Sequence, residues 1–84
     1  MKYEVLSRPG AEQDLADVWL NAKDRRRVVS AAEFVDRLLE QDAHTRGESR
    51  YGDFRILFVS PLGVTFEVYV EDRLAEVVAV WSIR

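Results

Sequence analysis

The hydrophobic positions of this 84-residue chain follow a helical period in the first half and a two-residue period in the second half. Residues 3–7 alternate apolar and polar side chains and predict a short strand. Two helices are predicted next, one that begins near Pro9 and one that Asp24 caps. The very short joint between them predicts an antiparallel helical hairpin. The predicted apolar faces consist of Ala11, Leu15, Val18, Trp19 and Ala22 in the first helix and of Val28, Ala31, Ala32, Val35, Leu38 and Leu39 in the second.

Residues 41–49 are polar and aperiodic, which predicts a loop. From position 50 onward the alternation of apolar and polar residues predicts strands, because successive side chains of a strand point to opposite faces. The first of these strands is expected to place one set of side chains on one face and a second set on the other. The first set is Phe54, Ile56 and Phe58, and the second includes Leu57 and Val59.

A turn at residues 60–63 leads to the next strand, whose buried face is predicted to hold Val64, Phe66, Val68 and Val70. Residues 74–83 are apolar on both faces, a pattern typical of a central strand or of a strand that a partner covers. Residues 1–84 are therefore predicted to form a single α+β domain. In this domain a helical hairpin packs on one face of a mostly antiparallel sheet, in the order β-α-α-β-β-β.

Composition narrows the classes of function. The chain is 48% hydrophobic and 32% charged, which is typical of a folded domain. It has no cysteine and a single histidine, so neither a metal site nor a cofactor is expected. The sequence shows no signal peptide or membrane span, which predicts a cytoplasmic protein. The net charge of −3 counts against a stand-alone nucleic-acid binder.

One cluster of side chains has the chemistry needed to cleave RNA without a metal. A base would take the proton of a ribose 2′-hydroxyl, guanidinium groups would stabilise the phosphorane, and an acid would protonate the leaving oxygen. The alternative is that these residues have no catalytic role. In that case carboxylates in the same stretch pair with the arginines, and the histidine is a solvated surface residue. The candidate residues are His44, Arg46, Arg50, Tyr51 and Arg55.

The sheet face opposite the helices is predicted to carry more apolar side chains than a solvated face normally does. They are Leu57, Val59, Tyr69 and Trp81. A partner protein covering this face, a homodimer formed through it, and simple tolerance of the exposure are the alternatives.

The order of elements and four segments resemble the RelE/ParE family of small bacterial toxins, over nearly the whole chain. The resemblance implies the fold described above. It also implies a toxin that is encoded beside an antitoxin, which wraps over the toxin and blocks it. The segments are Ser7-Arg8-Pro9-Gly10-Ala11-Glu12-Gln13-Asp14-Leu15 with Val18-Trp19, Asp53-Phe54-Arg55-Ile56-Leu57-Phe58, Pro61-Leu62-Gly63-Val64-Thr65-Phe66-Glu67-Val68, and Val77-Val78-Ala79-Val80-Trp81.

The family has two activities, ribosome-dependent mRNA cleavage in RelE-like members and DNA gyrase poisoning in ParE-like members. RelE-like members carry basic residues on the central strands, an arginine just before an aromatic strand, and a basic tail. Here Phe66-Glu67-Val68 matches the aromatic strand, but Gly63 or Val64 stands where that arginine is expected. Arg55 matches one basic position, Leu57 stands at its neighbour, and no basic tail follows Trp81.

The sequence thus predicts the toxin of a type II toxin–antitoxin pair that is ParE-like and inhibits growth by binding a protein, with DNA gyrase as a candidate target. A cognate antitoxin is expected to bind Leu57, Val59, Tyr69, Trp81 and Arg84. One alternative is a RelE-like endoribonuclease acting on ribosome-bound mRNA through the His44–Arg55 cluster. The other is a non-toxic, degenerate family member.

Overall fold

Two helices and a five-stranded sheet make up residues 1–83, the part of the chain that the computed structural model describes. Arg84, one of the predicted antitoxin contacts, lies outside the described residues. The elements are β1 (Glu4–Ser7), α1 (Pro9–Asn21), α2 (Arg25–Glu40), a 3₁₀ turn (Ala43–Thr45), β2 (Glu48–Ser49), β3 (Phe54–Val59), β4 (Leu62–Tyr69) and β5 (Leu74–Ser82).

The sheet has the strand order β1-β5-β4-β3-β2. Only the β1–β5 pair is parallel, and the other three pairs are antiparallel. The α+β prediction and the element order are confirmed. β5 lies between β1 and β4, as its two apolar faces predicted. The predicted loop at residues 41–49 also contains the 3₁₀ turn and β2, a two-residue strand.

Local sequence signals determine where both helices begin. Pro9 begins α1, where its missing N–H costs no hydrogen bond. The Asp24 carboxylate caps α2 by accepting a hydrogen bond from the Arg27 backbone N–H at 3.3 Å. The helical hairpin is therefore confirmed, together with both of its predicted starting points.

One side of the sheet, here called the helix side, is covered by both helices and contains the core. Phe66 and Leu39 are fully buried there, and Val64 and Val68 are nearly so. These positions confirm most of the predicted buried face of β4. Val70 is an exception, because β4 ends at Tyr69 and the Val70 side chain is 44% exposed in the following turn.

The register of β3 and β4 decides which β3 side chains face the helices. Leu57 pairs with Val64 and Val59 pairs with Leu62, and both of these partners are buried on the helix side. Directly paired residues share a face, so Leu57 and Val59 also lie on the helix side, where they pack against the core. The prediction that placed them on the opposite face, here called the open face, is wrong.

Trp19 is predicted to belong to the apolar face of α1, but the structure places it partly at the surface. Its side chain is 38% exposed, and the Arg25 guanidinium lies 4.4 Å from the ring centroid. Arg25 also donates to the carbonyl oxygens of Trp19 and Leu20, which caps the C-terminal end of α1 and holds the guanidinium over the ring. Within residues 1–83, neither helix has the length and apolar content needed to cross a membrane.

Candidate functional site

Three rows of side chains cross β3, β4 and β5 on the open face. Each row is fixed by the antiparallel register of the strands. The first row is almost entirely aromatic, the second holds smaller side chains, and the third carries two carboxylates. The rows are Phe58, Gly63 and Trp81; Ile56, Thr65 and Ala79; and Phe54, Glu67 and Glu76.

The first row depends on the absence of a side chain at Gly63. An added Cβ there would lie 2.4 Å from Cε2 of Trp81, so the indole ring occupies the space above the glycine. The ring extends across β4 and meets Phe58 edge to face, with centroids 6.3 Å apart and ring planes at 83°. This is a favoured geometry for an aromatic pair. Gly63 therefore lets two aromatic rings join across three strands.

An apolar surface follows the β3 side of the open face and is here called the aromatic strip: Tyr51, Phe54, Ile56, Phe58 and Trp81. Phe58 is 54% exposed and Tyr51 75% exposed. The Tyr51 and Phe54 rings lie 5.4 Å apart, which joins the turn before β3 to the strand. A contiguous, partly exposed apolar surface of this kind marks an interaction site more often than scattered apolar side chains do.

A polar network lies at the other end of the open face. Arg8 donates from Nε to Glu76 and from Nη2 to Glu67, both at 2.8 Å. The Tyr69 hydroxyl donates to the same Glu67 carboxylate at 2.5 Å. These hydrogen bonds raise the pKa of Tyr69, chiefly through Glu67, and raise that of Arg8, chiefly through Glu76. One positively charged guanidinium thus pairs with two negatively charged carboxylates, so the net charge of this network is negative.

A β-bulge in β5 brings Trp81 to the open face. Phe66 pairs with Val77 but Thr65 pairs with Ala79, so Val78 is an extra residue on β5. After the bulge, the edge of β5 extends beyond the end of β1. There the Asp14 carboxylate of α1 accepts a hydrogen bond from the Val80 N–H at 3.1 Å, in place of a strand.

No family model and no curated protein matches the sequence. Solved structures do match it. A chain of the toxin–antitoxin complex RelBE2 from Mycobacterium tuberculosis has a TM-score of 0.79 at 14% identity, over 98% of this chain and 92% of the other. The chromosomal ParDE system from P. aeruginosa gives 0.69 at 16% identity, over 99% and 98%. The isolated E. coli RelE toxin gives 0.61 at 18% identity, over 98% and 85%. The chain has the RelE/ParE toxin fold.

The resemblance drawn from the sequence is confirmed at the level of the fold. Structures of RelE and of ParE systems both match nearly the whole of this chain. The RelE/ParE fold is therefore established by geometry, whereas the activity has to be argued from the side chains on it.

Two of the predicted ribonuclease residues hold a loop of the RelE/ParE fold together. Arg46 donates from Nε to the carbonyl oxygens of Leu38 and Gln41, at the C-terminal end of α2. Arg55 donates from Nε to the carbonyl oxygen of Arg46 at 2.6 Å and from Nη2 to that of Gly47 at 3.1 Å. Arg55 pairs with buried Phe66 and so lies on the helix side. Both guanidinium groups thus have structural partners.

The other three candidate residues are placed differently. His44 Nδ1 lies 2.9 Å from the hydroxyl of buried Tyr3, whose pKa is raised by burial. Arg50 is exposed and lies 3.5 Å from Glu48. Tyr51 belongs to the aromatic strip. Arg50 and Tyr51 are therefore the members of the cluster that are most accessible to a ligand.

Of the predicted antitoxin contacts, Tyr69 and Trp81 lie on the open face, whereas Leu57 and Val59 do not. The sequence interpretation missed the three side chains of β3 that do lie there, Phe54, Ile56 and Phe58. The sequence does contain a signal that assigns these side chains to the open face, namely the length of the turn between β3 and β4. If residues 60–61 alone are taken as the turn between β3 and β4, Val59 faces Leu62, and every β3 side chain is assigned to its observed face.

Proposed function

We propose that this chain is the toxin of a type II toxin–antitoxin pair and that it acts in the ParE-like manner, by binding a protein target such as DNA gyrase. A cognate antitoxin neutralises the toxin by binding it through the open face. The aromatic strip is the observation that carries this proposal, because it offers a binding protein contiguous apolar surface on a rigid sheet. The likeness to RelE and ParE structures supports the toxin role.

The charges of the open face favour protein binding over RNA cleavage. None of the nine residues in the three rows is basic, and the third row contains Glu67 and Glu76. Arg8 reaches this face, but both of its ion pairs are with those carboxylates. Phosphate groups of RNA would meet repulsion here, whereas aromatic side chains are the commonest anchors of protein interfaces.

The antitoxin contact can be tested by co-purifying the chain with the product of a reading frame that adjoins its gene. Phe58→Glu adds a charge to the aromatic strip and should abolish co-purification. Leu20→Glu is a matched control, because Leu20 is 57% exposed on α1, away from the open face. Since both side chains are exposed, both variants should stay folded. Equal co-purification of Phe58→Glu and the wild type would refute the assignment of the open face.

The target can be identified by pulse-labelling DNA and protein synthesis after tightly controlled expression in bacteria. An early fall in DNA synthesis supports the ParE-like activity. If protein synthesis falls first, the RelE-like alternative replaces it. If neither falls, the non-toxic alternative is correct and the binding role is tested by co-purification alone.

The RelE-like alternative has one supporting observation, because Arg50 is exposed and directly precedes Tyr51, an exposed member of the aromatic strip. If the chain cleaves mRNA on ribosomes, Arg50→Ala and Tyr51→Phe should reduce cleavage without loss of stability. Arg55→Ala is less informative, since the loss of its bonds to two carbonyl oxygens would itself disturb the fold.

A further inference from the structure

The third row of the open face continues onto β1. Leu6 of β1 pairs with Glu76, and directly paired residues share a face, so Leu6 also lies on the open face. Its side chain is 45% exposed. The extended row, here called the acidic row, crosses four strands and consists of Phe54, Glu67, Glu76 and Leu6. Two carboxylates thus lie between two apolar side chains.

The negative charge of the acidic row is not balanced. Within residues 1–83, Arg8 is the only cation within 4.0 Å of Glu67 or Glu76, and it pairs with both. The hydrogen bonds from Arg8 and Tyr69 reach one oxygen of each carboxylate, Oε1, and none in this part of the chain reaches Oε2. One negative charge and two acceptor atoms therefore remain available to a ligand.

Partial burial strengthens the effect of this charge. The side chains of Glu67 and Glu76 are only 16% and 26% exposed. Solvent and salt screen such groups less than they screen fully exposed charges. Glu4 adds a further carboxylate to the open face in the next row, because it pairs with Leu74, which in turn pairs with Tyr69. A cation that binds here is attracted by more than one carboxylate.

The acidic row lies at a fixed distance from the aromatic pair of the first row. Phe58 and Phe54 are four residues apart on β3, which corresponds to about 13 Å along the strand. Phe58 and Trp81 offer an apolar contact at one end of this distance, and the acidic row offers an ionic contact at the other. The open face is therefore suited to a ligand that carries an apolar group and a cation at that separation.

We propose that the protein partner of the open face presents an arginine or lysine side chain to the acidic row, about 13 Å from an apolar side chain that it places on Phe58 and Trp81. The aliphatic stem of the basic side chain packs between Phe54 and Leu6, and its charged end binds the two carboxylates. An acidic side chain at the same place would be repelled. This inference rests on the proposed function, because it concerns the same open face, and it adds the charge of the partner.

The test is an NMR titration of the full, isotope-labelled chain with three helical peptides that differ at one position. Each peptide carries two leucines one turn apart and a test residue about 13 Å further along the same helix face. The test residue is arginine, glutamine or glutamate. The indole N–H of Trp81 and the backbone N–H groups of Glu67 and Glu76 report whether a peptide binds at the open face. This comparison needs no variant, so it can be made on the wild-type chain.

Two double variants then locate the origin of any preference. Glu67→Gln/Glu76→Gln removes two charges but keeps an oxygen acceptor at each position for Arg8. Glu33→Gln/Glu40→Gln is the matched control, because it removes the same number of charges from exposed positions of α2, outside the open face. Circular dichroism of each variant checks the fold.

We expect the arginine peptide to bind about three- to tenfold more tightly than the glutamine peptide, and the glutamate peptide to bind most weakly. The preference should shrink with added salt. Glu67→Gln/Glu76→Gln should remove it, whereas Glu33→Gln/Glu40→Gln should keep it within about twofold. Phe58→Ala should weaken all three peptides and leave the preference in place.

Three results would each overturn the inference: equal affinity for the three peptides or no binding of any, equal loss in both double variants, and signal changes away from the open face. These outcomes are distinguishable from failure of the proposed function, because the titration needs no toxic activity. A failed titration together with an early fall in DNA synthesis would remove this inference and leave the ParE-like activity standing. A clear arginine preference in a chain without toxicity would keep the inference and refute the toxic activity.

Discussion

The space above Gly63 provides a sharp test of the open face. In Gly63→Ala the new Cβ would lie 2.4 Å from Cε2 of Trp81, whereas carbon atoms normally approach to about 3.5–4.0 Å. The indole ring would have to move by at least about 1 Å. Because it lies between Gly63 and Phe58, such a movement breaks its edge-to-face contact with Phe58.

The expected loss of stability is that of overfilling a packed site. Overfilling a packed site costs about 1–3 kcal/mol, and this includes the loss of an aromatic pair that contributes about 0.5–1.5 kcal/mol. A central value of about 2 kcal/mol corresponds to a fall of about 8–16 °C in Tm for a domain of this size. The free energy of unfolding is measured by urea denaturation followed by circular dichroism.

A double-mutant cycle tests whether the clash with Trp81 causes the loss of stability in Gly63→Ala. When Trp81 is first replaced by alanine, the clash is gone, and Gly63→Ala should then stabilise the strand by about 0.5–1 kcal/mol because alanine loses less backbone entropy than glycine. Gly10→Ala is the control substitution, since a Cβ there would meet no atom within 4 Å. If Gly63→Ala destabilises equally with and without the Trp81 ring, the proposed support of the indole by Gly63 is refuted.

Three further predictions concern stability. Asp14→Ala should cost about 1–2 kcal/mol in urea denaturation, because it leaves a β5 backbone N–H without its acceptor, whereas Asp17→Ala, at an exposed helix position, should cost less than about 0.5 kcal/mol. Gly47→Ala should destabilise more than Gly52→Ala, because both glycines have positive φ but only at Gly47 would a Cβ collide with a β3 carbonyl oxygen, at 2.1 Å; equal losses of Tm would contradict this. The pKa of Asp36 is raised by burial and by two neighbouring glutamates, so the folded state disfavours its charged form, and Asp36→Asn should raise Tm at neutral pH. That gain should shrink as the pH falls through the raised pKa, and a gain independent of pH would contradict the prediction.

The sequence is sufficient to predict the elements of this fold because its signals are local. A proline at the first helical position and an aspartate cap mark the helix starts, and the period of the apolar residues separates helices from strands. The two apolar faces of residues 74–83 likewise identified the central strand. Each of these signals lies within one element and needs no knowledge of its neighbours.

The faces of β3 could not be assigned in the same way. Every residue of 54–59 except Arg55 is apolar, so alternation alone does not distinguish the core side from the open side. The assignment depends on where the hairpin turns, and a two-residue turn at 60–61 places Leu57 and Val59 over the core. The same register places Arg55 on the helix side, where two carbonyl oxygens accept hydrogen bonds from its guanidinium group.

The same reasoning explains why the candidate site is hard to see in the sequence. Trp81 reaches the open face because Val78 is bulged, and it lies flat across the sheet because residue 63 is glycine. Phe58 meets it only through the register of a third strand. The aromatic strip is thus a product of three separate backbone features, which no single stretch of sequence contains. A loss of partner binding in Gly63→Ala, with Gly10→Ala unaffected, would therefore link the proposed function directly to this backbone geometry.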